Sequence, residues 1–301
     1  MTIKFHSGFV TIIGKPNVGK STLLNSLLLK KVAIVSSKPE TTRDNILGIL
    51  TTDNLQAAFI DTPGIHKPHL LLGKLMVKRA LNSLLDADLI LFIVDVKKGF
   101  REEDKFILDM IKESKKPAIL LMNKIDSAKK SAILPLIDTL SKSHNFIDFI
   151  PISALNGDNL ELLKEKIYDN LPVDIKHFPD DEITDKSEIF QTSEIIREKI
   201  LLLTQQEVPH SIAVKIDRFE YIKEKDHLEI EATIYVERDS QKGILIGQKG
   251  KMAKQVSTLS RKELKAKFDK KVVLSTWVKV LKNWRKDERA LRLLGIGDSN
   301  G

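Results

Sequence analysis

The first 170 residues alternate between short apolar runs and longer stretches with helical spacing. FVTIIGK, QAAFIDT, LILFIVDV, PAILLMNK and FIDFIPIS are dominated by Val, Ile, Leu and Phe without strict polar alternation, the pattern of strands covered on both faces of a parallel sheet. Between them, KSTLLNSLLLKK, GKLMVKRALNSLLD, REEDKFILDMIKES and KKSAILPLIDTLSKS repeat apolar residues every three or four positions, as amphipathic helices do. That order predicts a doubly wound, mostly parallel α/β sheet with helices on both faces. NLELLKEKIYDNLP adds a last helix stopped at Pro172, so a first domain is expected over residues 1–172.

The periodicity then lapses. VDIKHFPDDEITDKSE carries six acids against two lysines and predicts a linker over 173–187. Beyond it the alternation changes kind. A helix (SEIFQTSEIIREKILLLTQ) precedes two alternating segments, HSIAVKIDRFEY and HLEIEATIYVER, which read as antiparallel strands. A helix broken by GQKG, a strand near KVVLSTWVKVL and a short basic helix through WRKDERALRLL follow. The α-β-β-α-α-β order predicts a smaller α+β domain over 188–301, and no internal repeat is visible.

Composition narrows the class. With 42% hydrophobic and 30% charged residues the chain reads as globular. It has no cysteine, which excludes disulfides and thiolate metal sites and fits a reducing cytosol. No apolar run approaches the length of a bilayer span, and FHSGFVTIIGK runs straight into a glycine-rich loop without a cleavage site. The expected location is the cytoplasm. Charge is unevenly placed: Lys242 to Arg292 holds sixteen Lys and Arg against four acids, a local net of +12, leaving −4 for the rest of a chain whose total is +8. A concentration of this kind points to a polyanionic partner, nucleic acid or an anionic membrane surface.

Four motifs carry the chemistry of the first domain. Gly14-Lys15-Pro16-Asn17-Val18-Gly19-Lys20-Ser21, followed by Thr22, fits the phosphate-binding loop pattern with a strand before it and a helix after it. Its main-chain N–H groups and the helix N-terminus would cradle phosphates, Lys20 would reach the β- and γ-phosphates, and Ser21 would ligate Mg²⁺. Asp61-Thr62-Pro63-Gly64 follows an apolar run, so Asp61 would hold Mg²⁺ and the Gly64 N–H would contact the γ-phosphate. In the polar stretch between them, Thr41 or Thr42 would close over the metal, with Thr42 favoured. Asn123-Lys124-Ile125-Asp126 ends another apolar run: Asp126 would accept from the N1–H and exocyclic amine of guanine, Asn123 would fix the loop and Lys124 would cover the ring. Adenine would leave that carboxylate unpaired. Ser153 and the backbone of Ala154 would bind the O6 side of the base.

This set (GKPNVGKS, TTRDN, DTPG, NKID and SA, continued through PDDEITDKSE and REKIL to a basic C-terminal domain) resembles the Era family of ribosome-assembly GTPases over nearly the whole chain. The resemblance implies a GTP-hydrolysing switch with Mg²⁺ as cofactor, a type II KH domain after the P-loop GTPase domain, and the 3′ end of small-subunit ribosomal RNA, on a 30S-type particle, as partner. It also implies peripheral contact with the cytoplasmic side of an anionic membrane, and a monomer is expected. In several GTPases with the NVGKS loop the asparagine is similar to a K⁺ ligand, which marks Asn17 for potassium. Two other readings remain: a nucleotide-gated RNA-binding scaffold with negligible turnover, and a GTPase docked on anionic membrane through its basic end.

The loop Gly247-Gln248-Lys249-Gly250 lies between two helical stretches and fits the GXXG clamp of a KH module, with Lys249, Lys251 and Lys254 as phosphate contacts. Ile244 and Ile246 read equally as core or groove. Trp277 and Trp284 read as core or surface positions ahead of stacking platforms, and Arg285, Lys286 and Arg289 as RNA surface or a solvated face. One residue departs from expectation. Ile65 stands where many such enzymes carry a water-orienting glutamine, and it can neither donate nor accept a hydrogen bond. Neighbouring His66 and Lys67 read as loop residues rather than bases, so slow intrinsic hydrolysis is expected.

Overall fold

The computed structural model describes residues 4–65, 70–129, 131, 133–205 and 208–296. His66 and Lys67 lie outside them. The chain divides into two compact units with the main boundary after Asp185.

In the first unit, strands β1 (His6–Ile13), β2 (Ile46–Thr51), β3 (Leu55–Asp61), β4 (Leu89–Asp95), β5 (Ala118–Asn123) and β6 (Phe149–Ile152) form one sheet in the order β2-β3-β1-β4-β5-β6. All pairs are parallel except β2–β3. Every residue of β4 is buried, because both sheet faces are covered. Helices α1 (Lys20–Leu28) and α5 (Leu160–Asn170) bring Leu23, Leu27, Leu163 and Ile167 against Val10, Ile12 and Leu91 on one face. Helices α2 (Leu71–Asp86), α3 (Glu102–Ser114) and α4 (Ile133–Ser141) bring Ala80, Ile107 and Leu140 against Ile13, Ile90 and Phe92 on the other.

Strand β2 was not among the apolar runs that the sequence marks. Gly48 interrupts it, and a Cβ there would meet the Leu28 and Leu24 methyls at 2.6 and 2.7 Å, so the glycine lets α1 close on the sheet. Of the expected linker over 173–187, the residues through Asp185 group with the first unit. Ile183 O accepts the Ile49 N–H at 2.9 Å, covering part of the β2 edge. Buried Gln56 accepts the His177 and Phe178 N–H groups at 2.7 and 2.9 Å. Asp174, Asp180, Asp181 and Asp185 are exposed while main-chain atoms hold the segment down.

The second unit contains α6 (Glu188–Leu203), β7 (Ala213–Ile222), β8 (His227–Val236), α7 (Asp239–Ile246), α8 (Lys251–Phe268), β9 (Lys271–Val280) and α9 (Glu288–Leu293). Its sheet order is β7-β8-β9, with β7 and β8 antiparallel and β8 and β9 parallel. Ile195 of α6, Ile230 of β8, Leu264 of α8 and Val272 of β9 share its core. Trp284 is fully buried and its Nε1–H donates to Ser211 O at 3.0 Å, so it is core. Trp277 is 47% exposed on the outer side of β9.

Candidate functional site

The phosphate-loop pattern occupies the turn from β1 into α1, where strand ends of an open α/β sheet bind ligands. Its glycines are required by close approach and backbone angle. A Cβ at Gly14 would meet Ile93 O at 2.6 Å, and Gly19 has φ +108° with Asn123 Nδ2 at 2.3 Å from its Cβ position. Lys20 Nζ donates to Gly14 O and Lys15 O, both at 3.0 Å. Val18 is core, and Thr22 lies in the first turn of α1.

Ser21, Thr42 and Asp61 converge from three segments. Ser21 Oγ donates to Asp61 Oδ2 at 2.6 Å and lies 2.9 Å from Thr42 Oγ1, which is itself 3.4 Å from the same carboxylate oxygen. Thr42 places its hydroxyl in this cluster. Burial drives Lys20 down to about 8, opposed by Asp61, and drives Asp61 up to about 6, opposed by Lys20 and the two hydroxyls. Asp61 Oδ1 is buried without a hydrogen-bond partner. One carboxylate and two hydroxyls, with an unused buried oxygen, fit Mg²⁺ completed by substrate phosphates and water. Among the described residues no cluster of three His, Cys, Asp or Glu side chains offers an all-protein metal cage.

The DTPG segment is anchored at each step. Thr62 Oγ1 donates to Ile12 O at 2.8 Å, and the Ile65 N–H donates to Gly14 O at 3.3 Å. A Cβ at Gly64 would meet Pro16 Cα at 2.7 Å, so this glycine rests on the phosphate loop. Pro63 is buried beside it. The Ile65 side chain is buried in the core with Ala80 and Leu84 of α2. It therefore lacks hydrogen-bonding atoms and also points into the protein.

At the base-reading end, Asn123 Nδ2 donates to Val18 O at 2.7 Å and Asn123 Oδ1 accepts the Ala154 N–H at 2.9 Å. Lys124 Nζ donates to Asn17 O at 2.7 Å and Asp95 Oδ2 at 2.8 Å. Asp126 is exposed, with Oδ1 accepting from Ser153 Oγ at 2.6 Å. Ser153 and Ala154, read from sequence as contacts to the O6 side of guanine, here donate to the two side chains that flank the base site. Three supporting residues were missed. Asp95 ends β4 and orients Lys124; Ser26 donates to Ala154 O at 2.6 Å; Asp104 accepts from Lys15. Only Asp95 left a signal, a carboxylate closing an apolar strand at the same sheet edge as NKID. The expectation for Lys15 is narrowed, since its side chain leaves the phosphate loop and only its backbone lines it.

In the second unit, Gly247 (φ +69°), Lys249 (φ +51°) and Gly250 (φ +75°) form a tight turn before α8. A Cβ at Gly247 would meet Met252 N at 2.9 Å. Gln248, Lys249, Lys251 and Lys254 are exposed, and α8 begins without a side-chain cap, leaving first-turn N–H groups for phosphate. Ile244 and Ile246 are 44% and 38% exposed while Leu245 takes the core position between them, so neither is core. Arg285 pairs with Glu237 at 2.5 Å, whereas Lys286 and Arg289 are exposed.

Residues 9–124 match the family described as 50S ribosome-binding GTPase, and residues 207–285 match the KH domain family. GTPase Era of Syntrophus aciditrophicus (strain SB) is 46% identical over 297 residues, covering 99% of this chain and 97% of that protein. Two crystal structures of Era are each 43% identical. One, in complex with MgGDPNP and nucleotides 1506–1542 of 16S ribosomal RNA, superposes with a TM-score of 0.95 over 97% of this chain and 99% of that one. The other, an Aquifex aeolicus Era variant bound to GDP.AlF4-, gives 0.94 over 97% and 100%. Identity across both domains, together with the joined phosphate, metal and guanine motifs, places the chain in the Era family of Mg²⁺-dependent GTPases.

Proposed function

We propose that this GTPase couples its nucleotide state to the binding of ribosomal RNA, the 3′ end of the small-subunit RNA, and acts in small-subunit assembly. The observation that carries the reading is the exposed GXXG turn at the start of α8, inside a region of net charge +12, on the same chain as a complete GTP site. The related Era bound to MgGDPNP and 16S nucleotides supports it. GTP binding would set the segments carrying Thr42 and Gly64 against the phosphates and Mg²⁺, and the KH domain would engage RNA in that state.

In this reading the main-chain N–H groups of Gly14 to Thr22 and the Lys20 ammonium hold the phosphates, and Gly64 senses the γ-phosphate. Ser21, Thr42 and Asp61 hold Mg²⁺, which neutralises charge on the β- and γ-phosphate oxygens. Asp126, set by Ser153, reads guanine; Asn123, Lys124 and Ala154 fix the loops around it. Water attacks the γ-phosphorus and GDP leaves, with no side chain at position 65 to orient that water. Catalysis then rests on positioned charge. Asn17, at φ +64° with its main-chain oxygen held by Lys124, offers a neutral amide oxygen of the kind K⁺ accepts. Hydrolysis is expected to run faster in KCl than in NaCl at equal ionic strength; equal single-turnover rates would remove potassium from the reading.

Replacing both central residues, Gln248→Asp with Lys249→Asp, tests the RNA surface. The turn is exposed, so the fold is expected to survive. RNA affinity should fall about 10- to 100-fold, the scale of one or two charged hydrogen bonds, while RNA-free GTP hydrolysis is retained. Unchanged RNA affinity would move the RNA site elsewhere. The protein is proposed to act as a cytoplasmic monomer, with peripheral contact to anionic membrane through the same basic domain. No helix among the described residues is long and apolar enough to cross a membrane. Lipid attraction through general charge should largely survive the double substitution.

A further inference from the structure

The Lys15 side chain turns away from the phosphate loop toward α3. Its ammonium donates to Asp104 Oδ2 at 2.5 Å, and the two side chains are 7% and 0% exposed. Asp104 is the third residue of α3. The same Oδ2 accepts the main-chain N–H of Arg101 at 2.9 Å, closing the helix N-terminus, while Oδ1 is buried without a partner. An ion pair removed from water recovers its desolvation cost only with good geometry and full hydrogen bonding, and apolar replacements are often as stable. Here one carboxylate oxygen remains unsatisfied, so local stability is a poor explanation for the pair.

Position is a better one. Lys20 Nζ is held by the carbonyls of Gly14 and Lys15. Gly14 O also accepts the Ile65 N–H, and Gly64 rests on Pro16. Residues 14–16 therefore hold the phosphate-binding lysine on one side and the DTPG segment on the other. Within this arch, Lys15 sends a charged side chain to a helix that supplies none of the proposed phosphate or metal contacts. We propose that the Lys15–Asp104 pair is a positioning clamp, which fixes the arch against α3 and thereby sets Lys20 and Gly64 against the phosphates of GTP. Neither side chain touches substrate; both act through the backbone of residues 14–16. The proposal rests on reading this loop as the phosphate site.

The test uses the full chain carrying Asp104→Asn, the double substitution Lys15→Met with Asp104→Leu, and Lys20→Met as control. Measured quantities are kcat and KM for GTP, the preference for GDP over ADP, and the melting temperature. Asp104→Asn is expected to lower kcat/KM about tenfold or more, since a misplacement of ~1 Å can cost up to about 10². Guanine preference should not change, because Asp126 is untouched. The double variant leaves no unpaired buried charge, so its melting temperature should fall only by the loss of the cap on the Arg101 N–H, while kcat/KM stays low. It decides the matter alone if Asp104→Asn does not fold. Wild-type kcat/KM in the double variant, with Lys20→Met still impaired, overturns the clamp and leaves the phosphate site standing. Full activity of Lys20→Met overturns the site reading itself.

Discussion

Asp126→Ala is expected to lower GTP affinity by about 10³- to 10⁴-fold and to erase the preference for guanine over adenine nucleotides. Sites built to hydrogen-bond a substrate group discriminate by about 10⁴ because the partner is left unpaired when one side is removed. Here the removed side is the protein's: the guanine N1–H and exocyclic amine would lose a charged acceptor. The effect should be confined to the site. Asp126 is exposed and accepts from the Ser153 hydroxyl, so the melting temperature should scarcely move. Competition of GTP and ATP against a fluorescent GDP analogue measures both quantities. A loss smaller than tenfold, or retained guanine preference, contradicts the assignment.

Lys20→Met should reduce single-turnover GTP hydrolysis by about 10²- to 10³-fold, the scale of removing one preorganised charge-stabilising donor. Methionine has a similar reach and no charge, so the loop should keep its packing while its ammonium is lost. Lys20 also counters the upward push of burial on Asp61. Its removal would leave desolvation less opposed and drive that carboxyl further toward the neutral form, weakening the Mg²⁺ site at the same time. The two losses should therefore appear together, as slower hydrolysis and a higher Mg²⁺ requirement. Hydrolysis within threefold of the unaltered protein would assign the chemistry elsewhere.

Much of this site was legible because each motif sits where a strand ends, and apolar runs mark strand ends well. GKPNVGKS after FVTII, DTPG after QAAFI and NKID after PAILLM all fall at the same edge of one sheet. The α-β-β-α-α-β order of the second unit was readable for the same reason. What stayed hidden depends on contacts distant in sequence. Strand β2 is broken in pattern by Gly48, whose need appears only when α1 lies on it. The acid-rich segment 173–185 reads as a linker because its anchors are main-chain atoms taken up by Gln56 and Ile49. Ile65 was recognisable as unable to orient water, yet its burial beside α2 follows only from the packed core. Asp104 lies in the amphipathic stretch REEDKFILDMIKES, where nothing local marks it, because its pairing with Lys15 spans 89 positions.

In the proposed switch, GTP state governs RNA binding. This dependence is tested most directly by measuring the affinity of the full chain for a single-stranded RNA carrying the 3′ end of small-subunit ribosomal RNA. The comparison is between Mg²⁺ with a non-hydrolysable GTP analogue and Mg²⁺ with GDP. Coupling between two sites of one protein typically amounts to about 5- to 150-fold, and the same factor must appear in the analogue's affinity when RNA is added. RNA should bind more tightly with the GTP analogue, by about tenfold or more, with a matching gain in analogue affinity. Equal RNA affinity in the two nucleotide states would contradict it.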